Sequence, residues 1–302
     1  MSEIHVFNHH AMATQFQIRI AGGEKTYAAQ TAQAAFALTD ELESHLSRFR
    51  ANSDICQIAQ LAPGEKLRLS EPVFACLEIA KKMELATRGA FSVCAAALQS
   101  QLIQPQWTLL AEQFSIRCDG GKLEFDLGAI GKGFALDRMA GVLREWDCPS
   151  FLLVAGGSSI LAGDAPMERG CVADQPQQFQ GAAADASRTA ALQETSGWSC
   201  GLGDDHSPVR YSLKNCSLSG SGLAVKGKHV FDPRTGRPAQ RQNRAWALTE
   251  TAAESDALST ACMILAEAEI IDVLASQESW LIFLEEDEAF LQFGKRPLPP
   301  LA

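Results

Sequence analysis

The chain has 302 residues, of which 46% are hydrophobic and 21% are charged, and its formal net charge is −10. These values are typical of a globular protein with a substantial buried core, and the negative charge disfavours general binding to nucleic acid or to an anionic membrane surface. The sequence contains no run of about 18 apolar residues, so we expect no insertion into a membrane.

Cysteine usage points to a reducing compartment. No two cysteines have C-x-x-C spacing, so we predict buried thiols rather than zinc ligands or a disulfide framework. Residues 1–13 lack the apolar segment and cleavage site of a signal peptide, and we therefore predict a cytoplasmic protein. The nine cysteines of the chain are Cys56, Cys76, Cys94, Cys118, Cys148, Cys171, Cys200, Cys216 and Cys262.

The N-terminal third of the chain predicts one strand and two helices. Apolar and polar residues alternate over 16–20, which predicts a half-buried strand. Apolar residues then recur at helical spacing over 26–49, which predicts a long amphipathic helix. A second helix is predicted to begin at Pro72, with Ser70 as its N-cap.

The rest of the chain alternates strand, glycine turn and helix. We predict strands over 123–127 and 151–155 and a helix over 132–146 between them. A later helix over about 255–267 and a strand over 279–284 complete the core. This alternation predicts an α/β arrangement with glycine turns close to a ligand.

Residues 126–133, with the sequence DLGAIGKG, combine three glycines with a strand-to-helix turn. Glycine lets the backbone approach a ligand closely, and the free N–H groups at a helix N-terminus favour a pyrophosphate. Lys132 would add a positive charge. The spacing matches neither the dinucleotide-binding fingerprint nor a P-loop, so an ordinary glycine-rich turn remains the alternative.

A tight turn is predicted where Pro233 and Gly236 follow His229. An imidazole beside such a turn can act as a general base near neutral pH. A purely structural histidine remains the alternative interpretation.

Asp256 and Thr260 lie four residues apart and therefore on one helical face. A carboxylate and a hydroxyl so placed form part of a plausible shell for a hard cation such as Mg²⁺. Simple capping of the helix N-terminus, favoured by the helix dipole, explains the same pattern.

Taken in order along the chain, these segments resemble the ApbE family of FAD:protein FMN transferases. No single motif is specific, but the ordered set is, and it covers nearly the whole chain. The matching segments are Met12–Phe16, Leu46–Arg50 with Ser53, Gly89–Phe91, Asp126–Gly133, Ala155–Gly157, Ser219–Gly220, His229–Pro238 and Asp256–Thr260.

The resemblance implies a mixed α/β fold with a central, largely antiparallel sheet and flanking helices. It implies one domain over residues 1–302, made of two closely packed lobes with a nucleotide cleft between them. Residues 164–192 are rich in Ala, Gln, Asp and Ser, and we predict that they form a loop insertion.

The resemblance also implies a role for individual residues. His229 matches the histidine that activates the acceptor hydroxyl, and Ala129 (through its carbonyl), Asp256 and Thr260 match the Mg²⁺ ligands. The positions that match the FAD site are Met12, Phe49, Ala90, Phe91, Ser92, Asp126, Lys132, Gly156 and Gly157.

The implied reaction is the Mg²⁺-dependent transfer of FMN from FAD to a Thr or Ser hydroxyl of an acceptor flavoprotein, which releases AMP. Two alternatives stay open: hydrolysis of FAD to FMN and AMP in the same site, and FAD binding without catalysis. Departures from the family pattern motivate the last. Ser92 begins Ser-Val-Cys where the family has Asp-Pro-Thr, and Val154 and Ser158 replace the polar ends of Asn-Ala-Gly-Gly-Asp.

Overall fold

The computed structural model describes residues 3–95, 104–166, 197–202, 210–222, 231–239, 243–286, 289–296 and 300–301. Fourteen strands lie in these ranges: β1 (Ile4–Ala11), β2 (Thr14–Ala21), β3 (Lys66–Arg68), β4 (Gln106–Leu110), β5 (Ser115–Gly120), β6 (Phe151–Ala155), β7 (Ser159–Ala162), β8 (Trp198–Gly201), β9 (Arg210–Leu213), β10 (Cys216–Ser221), β11 (Ala245–Thr249), β12 (Leu281–Glu286), β13 (Ala289–Phe293) and β14 (Pro300–Leu301). The α-helices in the same ranges are α1 (Lys25–Leu46), α2 (Asp54–Ile58), α3 (Glu71–Ala86), α4 (Gly131–Glu145), α5 (Ala252–Cys262) and α6 (Glu267–Leu274).

An eight-stranded antiparallel sheet forms the centre of the fold, in the order β1-β2-β6-β7-β10-β11-β12-β13. Two three-stranded sheets, β14-β9-β8 and β3-β5-β4, accompany it. The predicted mixed α/β fold with a large antiparallel sheet is confirmed. The prediction of one domain with two lobes over residues 1–302 stays a prediction.

The two faces of the central sheet bury different side chains. Ile282 and Leu284 of β12 lie in the larger hydrophobic cluster, which also contains the buried faces of α1, α4 and α5. Leu281 and Phe283, which alternate with them, lie in a second cluster with residues of β8 and β9. Because side chains alternate along a strand, one face of the sheet packs on the helices and the other face packs on the small sheet that contains β8 and β9.

Most elements that were predicted from local periodicity are confirmed. Strand β6 has the predicted limits, and α4 differs from its predicted limits by one residue at each end. Helix α1 ends at Leu46 rather than at residue 49, which leaves Phe49 in a turn. Ser70 occupies the N-cap position of α3, but its hydroxyl donates to Asp54 Oδ2 at 2.6 Å instead of accepting a helical N–H.

The predicted strand over 123–127 is wrong. Leu123, Phe125 and Leu127 alternate with more exposed residues, but this extended segment belongs to no ladder. The strand of this region is β5, just before it. Alternating burial alone produced the strand-like pattern, because a buried extended segment has the same period of two.

Two further boundaries differ, and of the fourteen strands in the described ranges only β2, β6 and β12 were predicted individually. The predicted helix over 255–267 is α5, which ends at Cys262, and α6 follows separately from Glu267. The last predicted strand begins at Leu281. Strand β1 was not predicted, because its outward residues are polar or exposed at the edge of the sheet. From residue 167 onward, the predicted insertion 164–192 lies outside the described residues.

None of the helices in the described ranges combines the length and the apolar character needed to cross a bilayer.

A close approach between α4 and α5 depends on Gly133. A Cβ atom on Gly133 would lie 2.0 Å from the Ala252 carbonyl oxygen, which is closer than any real contact. We expect Gly133→Ala to lower the free energy of unfolding by about 3 kcal/mol, because a backbone atom cannot move aside as a side chain can. Urea-induced unfolding measures this loss.

Gly141, in the interior of the same helix, is the matched control. Nothing lies within 4 Å of a Cβ placed there. Gly141→Ala should therefore stabilise the protein by about 0.5–1 kcal/mol through helix propensity alone. A Gly133→Ala variant as stable as the unmodified chain would contradict the close approach.

Asp137 of α4 caps the N-terminus of α5 from a neighbouring helix. Its two carboxylate oxygens accept the N–H groups of Ala252 at 2.7 Å and Ala253 at 2.8 Å. Desolvation, together with the nearby Asp256 and Glu254 carboxylates, raises the pKa of Asp137 from 3.8 to about 7, although the two N–H donors oppose the rise.

A raised carboxyl pKa has a defined effect on the dependence of stability on pH. Below pH 3.8 the contribution of Asp137 to stability is fully present, and it is lost as the pH rises to about 7. We therefore expect the free energy of unfolding of the unmodified chain to fall relative to that of Asp137→Asn across this window. Urea-induced unfolding of both proteins at several pH values tests this, and a difference of the opposite slope would show that the two N–H donors outweigh burial.

Candidate functional site

Asp256 joins three segments that are distant in sequence. It lies in the second turn of α5 with 4% of its surface exposed. One carboxylate oxygen, Oδ2, accepts the backbone N–H of Gly133 at 2.7 Å, and the other, Oδ1, accepts the Ser159 hydroxyl at 2.5 Å. The Lys132 amine lies 3.5 Å from Oδ2. The glycine-rich loop, α5 and the strand that follows Gly156–Gly157 thus meet at one carboxylate.

Hydroxyl groups line the next turn of α5. Thr260 Oγ1 donates to the Asp256 carbonyl at 3.1 Å and lies 3.2 Å from Ser221 Oγ at the end of β10. Ser221 Oγ is also 3.0 Å from Ser259 Oγ. The structure therefore places Asp256 and Thr260 on one helical face, as their spacing predicts.

The carbonyl of Ala129 is left out of the regular helical pattern. In a continuing helix it would accept the N–H of Gly133, four residues ahead. That N–H donates to Asp256 instead. Ala129 is half-buried, in the turn just before α4.

These oxygen donors fit a hard cation. Within the described ranges, no group of three or more His, Cys, Asp and Glu side chains could hold a metal ion. A cation at Asp256 would instead depend on one carboxylate, carbonyl or hydroxyl oxygens, and phosphate. This donor set suits Mg²⁺, which binds through one or two carboxylates and substrate phosphates, better than zinc.

The Asp126 to Gly133 loop is held at both ends. The Asp126 N–H donates to the Val93 carbonyl at 2.8 Å, and its Oδ1 accepts the Gly128 N–H at 2.9 Å. Lys132 reaches back to the Gly128 carbonyl at 3.4 Å. The loop ends in the N-terminus of α4, where the Gly131 N–H donates to the Leu127 carbonyl and the Gly133 N–H donates to Asp256, and where the helix dipole favours an anion.

Two of the turns predicted to enclose the nucleotide lie at the same end of neighbouring strands in the central sheet. Met12, in the β1–β2 turn, has a positive φ of 49°, and Gly156 and Gly157 follow β6 with φ of 59° and 69°. Since β2 pairs with β6, these turns are neighbours, and the Gly156 N–H donates to the Gln15 carbonyl at 2.9 Å. A Cβ on Gly156 would lie 2.5 Å from Thr14 Oγ1 at a positive φ, so a larger residue would strain the backbone and require Thr14 to move.

Phe49 is the most exposed large hydrophobic side chain of the described residues, at 81%. The Arg48 guanidinium lies 4.5 Å from its ring centroid, and Arg48 Nε is 3.5 Å from Asp126 Oδ2. An open aromatic face therefore lies beside the glycine-rich loop.

Ala90 and Phe91 differ from the other candidate residues. Their side chains are 1% and 2% exposed and belong to the hydrophobic core, so only their backbone atoms could contact a ligand. Ser92 is half-buried and lines a cavity of about 280 Å³ together with Trp107 and Lys81. Its hydroxyl accepts the Cys94 N–H at 3.2 Å.

The turn after His229 is clamped by charges. Phe231 and Pro238 form an isolated antiparallel β-bridge. Asp232 accepts the N–H of Arg234 at 2.9 Å. The Arg234 guanidinium donates to Glu269 of α6 at 2.6 Å. The Ala266 N–H, together with this guanidinium, holds the pKa of Glu269 below its ordinary value. His229 itself lies outside the described residues.

The serines that face α5 were not predicted from the sequence. Ser217 and Ser219 of β10 lie 2.8 Å and 2.7 Å from Ser255 Oγ, and Ser159 binds Asp256. A signal was present, since Ser217, Ser219 and Ser221 alternate along one strand and so share one face.

Comparisons with known proteins identify similar chains. The sequence model of the ApbE family matches residues 12–283. An FAD:protein FMN transferase of Treponema pallidum (strain Nichols) is 29% identical over 47% of this chain and 38% of its own length. Another, from Klebsiella pneumoniae (strain 342), is 22% identical over 68% of this chain and 66% of its own length. The chain thus matches less than two thirds of either relative.

The solved structure of the flavin transferase ApbE from Vibrio cholerae superimposes with a TM-score of 0.72. The two chains are 18% identical, and the match covers 97% of each. At this identity the likeness concerns the fold.

Proposed function

The chain belongs to the ApbE family, and on that premise we propose that it transfers FMN from FAD to a Thr or Ser hydroxyl of an acceptor flavoprotein in a Mg²⁺-dependent reaction. The observation that carries the proposal is the position of Asp256. It is a nearly buried carboxylate that binds the glycine-rich loop at Gly133 and lies beside Lys132.

Asp256, Thr260 and the Ala129 carbonyl are the groups that would hold Mg²⁺. When bound, the cation would neutralise the negative charge that develops on the phosphate oxygens of FAD. The Gly133 N–H binds Asp256 rather than the Ala129 carbonyl, and Ser259 and Thr260 of α5 contribute hydroxyls beside Asp256, which supports this assignment.

Lys132 and the N-terminus of α4 would orient the pyrophosphate. The Lys132 amine lies within 3.5 Å of both Asp256 and the Gly128 carbonyl, which keeps its positive charge over the loop. Fixed donors of this kind stabilise a transferring phosphoryl group without reorganisation. The open face of Phe49 offers a stacking surface for the flavin ring.

His229 would act as the general base. It takes the proton from the acceptor hydroxyl while that oxygen forms a bond to the FMN-side phosphorus. The phosphorus–oxygen bond to the AMP moiety breaks at the same centre, and AMP leaves with the bonding electron pair. The protein supplies positioning and charge rather than a covalent intermediate.

Incubation with FAD and Mg²⁺, with and without an acceptor peptide of the Asp-Gly-x-Thr/Ser type, tests the proposal. We expect mass spectrometry to show AMP release and a peptide that has gained the mass of an FMN phosphoester. AMP and free FMN without a labelled peptide would favour FAD hydrolysis in the same site.

Non-catalytic FAD binding is the second candidate, and the departures at Ser92 and Ser158 favour it. Each replaces a carboxylate of the family pattern with a hydroxyl. This candidate predicts that FAD binds and that no AMP is released with Mg²⁺ present.

A further inference from the structure

We propose that Ser159 is a positioning residue, whose hydroxyl holds the Asp256 carboxylate in the orientation that binds the divalent cation. The inference rests on the proposed function, which assigns Asp256 to the cation. Ser159 is not among the residues proposed to bind the cation or FAD.

The contact is short and shielded from water. Ser159 is fully buried, and its Oγ lies 2.5 Å from Asp256 Oδ1. The Ser158 Oγ lies 3.5 Å from Ser159 Oγ, which is a much longer contact. A buried hydroxyl donates its proton to the acceptor within reach, and here that acceptor is a carboxylate, which makes the hydrogen bond a strong one.

The two carboxylate oxygens of Asp256 are held by different donors. Gly133 donates to Oδ2 from the N-terminus of α4, and Ser159 donates to Oδ1 from β7. An ionised carboxylate offers about four lone-pair directions. With the Lys132 amine also 3.5 Å from Oδ2, these donors fix the rotation of the carboxylate and leave a lone pair on Oδ1 for a cation.

The position of Ser159 is itself rigid. It is the first residue of β7, directly opposite Ala155 of β6 and Ser219 of β10. An apolar side chain would satisfy a buried strand position equally well, so a hydroxyl at this point serves the carboxylate. Because the strand follows the Gly156–Gly157 turn, the contact also links the predicted nucleotide turn to the predicted cation ligand.

The inference is tested by titrating the full chain with Mn²⁺ alone and measuring the bound Mn²⁺ by electron paramagnetic resonance. We expect Ser159→Ala to raise the dissociation constant of Mn²⁺ by about 10- to 100-fold, the usual effect of removing a group that orients a metal ligand. Ser159→Thr keeps the hydroxyl and should restore binding to within about threefold of the unmodified chain. The concentration of Mg²⁺ that gives half the maximal rate should shift in parallel, with little change in kcat.

Ser217→Ala is the matched control for the loss of a buried serine. Ser217 is also fully buried, but its hydroxyl donates to the Ile160 carbonyl at 2.7 Å and lies near Ser255. This variant should lose a similar amount of thermal stability and keep the Mn²⁺ affinity. If Ser159→Ala does not fold, Ser159→Cys, which is nearly isosteric and a weak donor, should show the same rise in the dissociation constant.

The outcomes separate the inference from the proposed function. Unchanged Mn²⁺ affinity in Ser159→Ala, with affinity lost in Asp256→Asn, would overturn the role of Ser159 and leave the cation site in place. Unchanged affinity in both variants would overturn the assignment of Asp256 as well. Equal losses in Ser159→Ala and Ser217→Ala would show a general structural effect and would also overturn the inference.

Discussion

The Asp256→Asn variant is expected to lose FAD turnover by on the order of 10³-fold or more at any Mg²⁺ concentration. The amide has nearly the shape of the carboxylate but supplies no negative charge to hold the cation. The lost charge stabilisation amounts to several kcal/mol at the transferring phosphoryl group, and about 1.4 kcal/mol corresponds to a factor of ten in rate.

The local hydrogen bonds should survive this substitution. The Asn carbonyl can accept the Gly133 N–H, and the Asn amide can donate to the Ser159 hydroxyl, which accepts as well as donates. We therefore expect the variant to fold, so that its loss of activity reports on charge. AMP release, followed by chromatography with Mg²⁺ titrated to high concentration, measures the loss.

Asp272→Asn is the control for removal of a carboxylate. Asp272 lies on α6 at the surface, where it pairs with Arg88 at 3.0 Å. This variant should retain full activity, because an exposed ion pair contributes little to stability and lies outside the proposed site. Full activity in Asp256→Asn would mean that the cation is held elsewhere.

The second large effect is expected for His229→Ala, which should lower the rate of FMN transfer by about 10²- to 10⁴-fold. Without a base, the acceptor hydroxyl must lose its proton to water. Binding of FAD should remain close to normal, because the proposed role of His229 concerns the acceptor rather than the nucleotide. Single-turnover transfer to the acceptor peptide and fluorescence titration with FAD measure the two quantities separately.

The pH profile gives a further test of this role. A histidine base must be neutral to accept a proton, so the transfer rate should rise as the pH increases towards neutrality and this inflection should vanish in the variant. His10→Ala, at an exposed position on the edge strand β1, is the matched control and should leave both the rate and the profile unchanged. Collapse of FAD binding in His229→Ala would instead identify His229 as a nucleotide contact.

Local periodicity was a reliable guide for part of the fold. The apolar run of β6 and the helical spacing of α1 and α4 each lie within a single element. The structure has these three elements close to their predicted limits. The same reasoning failed over 123–127, because periodicity reports burial and not hydrogen bonding to a partner strand.

Part of the candidate site was likewise predicted from the sequence, and part was not. The sequence motifs indicated the glycine-rich loop, Asp256 and Thr260, but they did not predict Ser159 or the burial of Ala90 and Phe91. Ser159 and Asp256 lie 97 residues apart, and no local pattern relates a strand residue to a helix residue at that distance.

The sequence by itself determined the family resemblance, the helices with clear apolar faces and the residue types available for chemistry, because each depends on residues close together in the chain. Only the tertiary structure decided the order of the eight strands, the packing of α5 on Gly133 and the donors to each oxygen of Asp256. The reason is physical: these contacts join distant segments, and each is set by the shape that the packed layers leave between them.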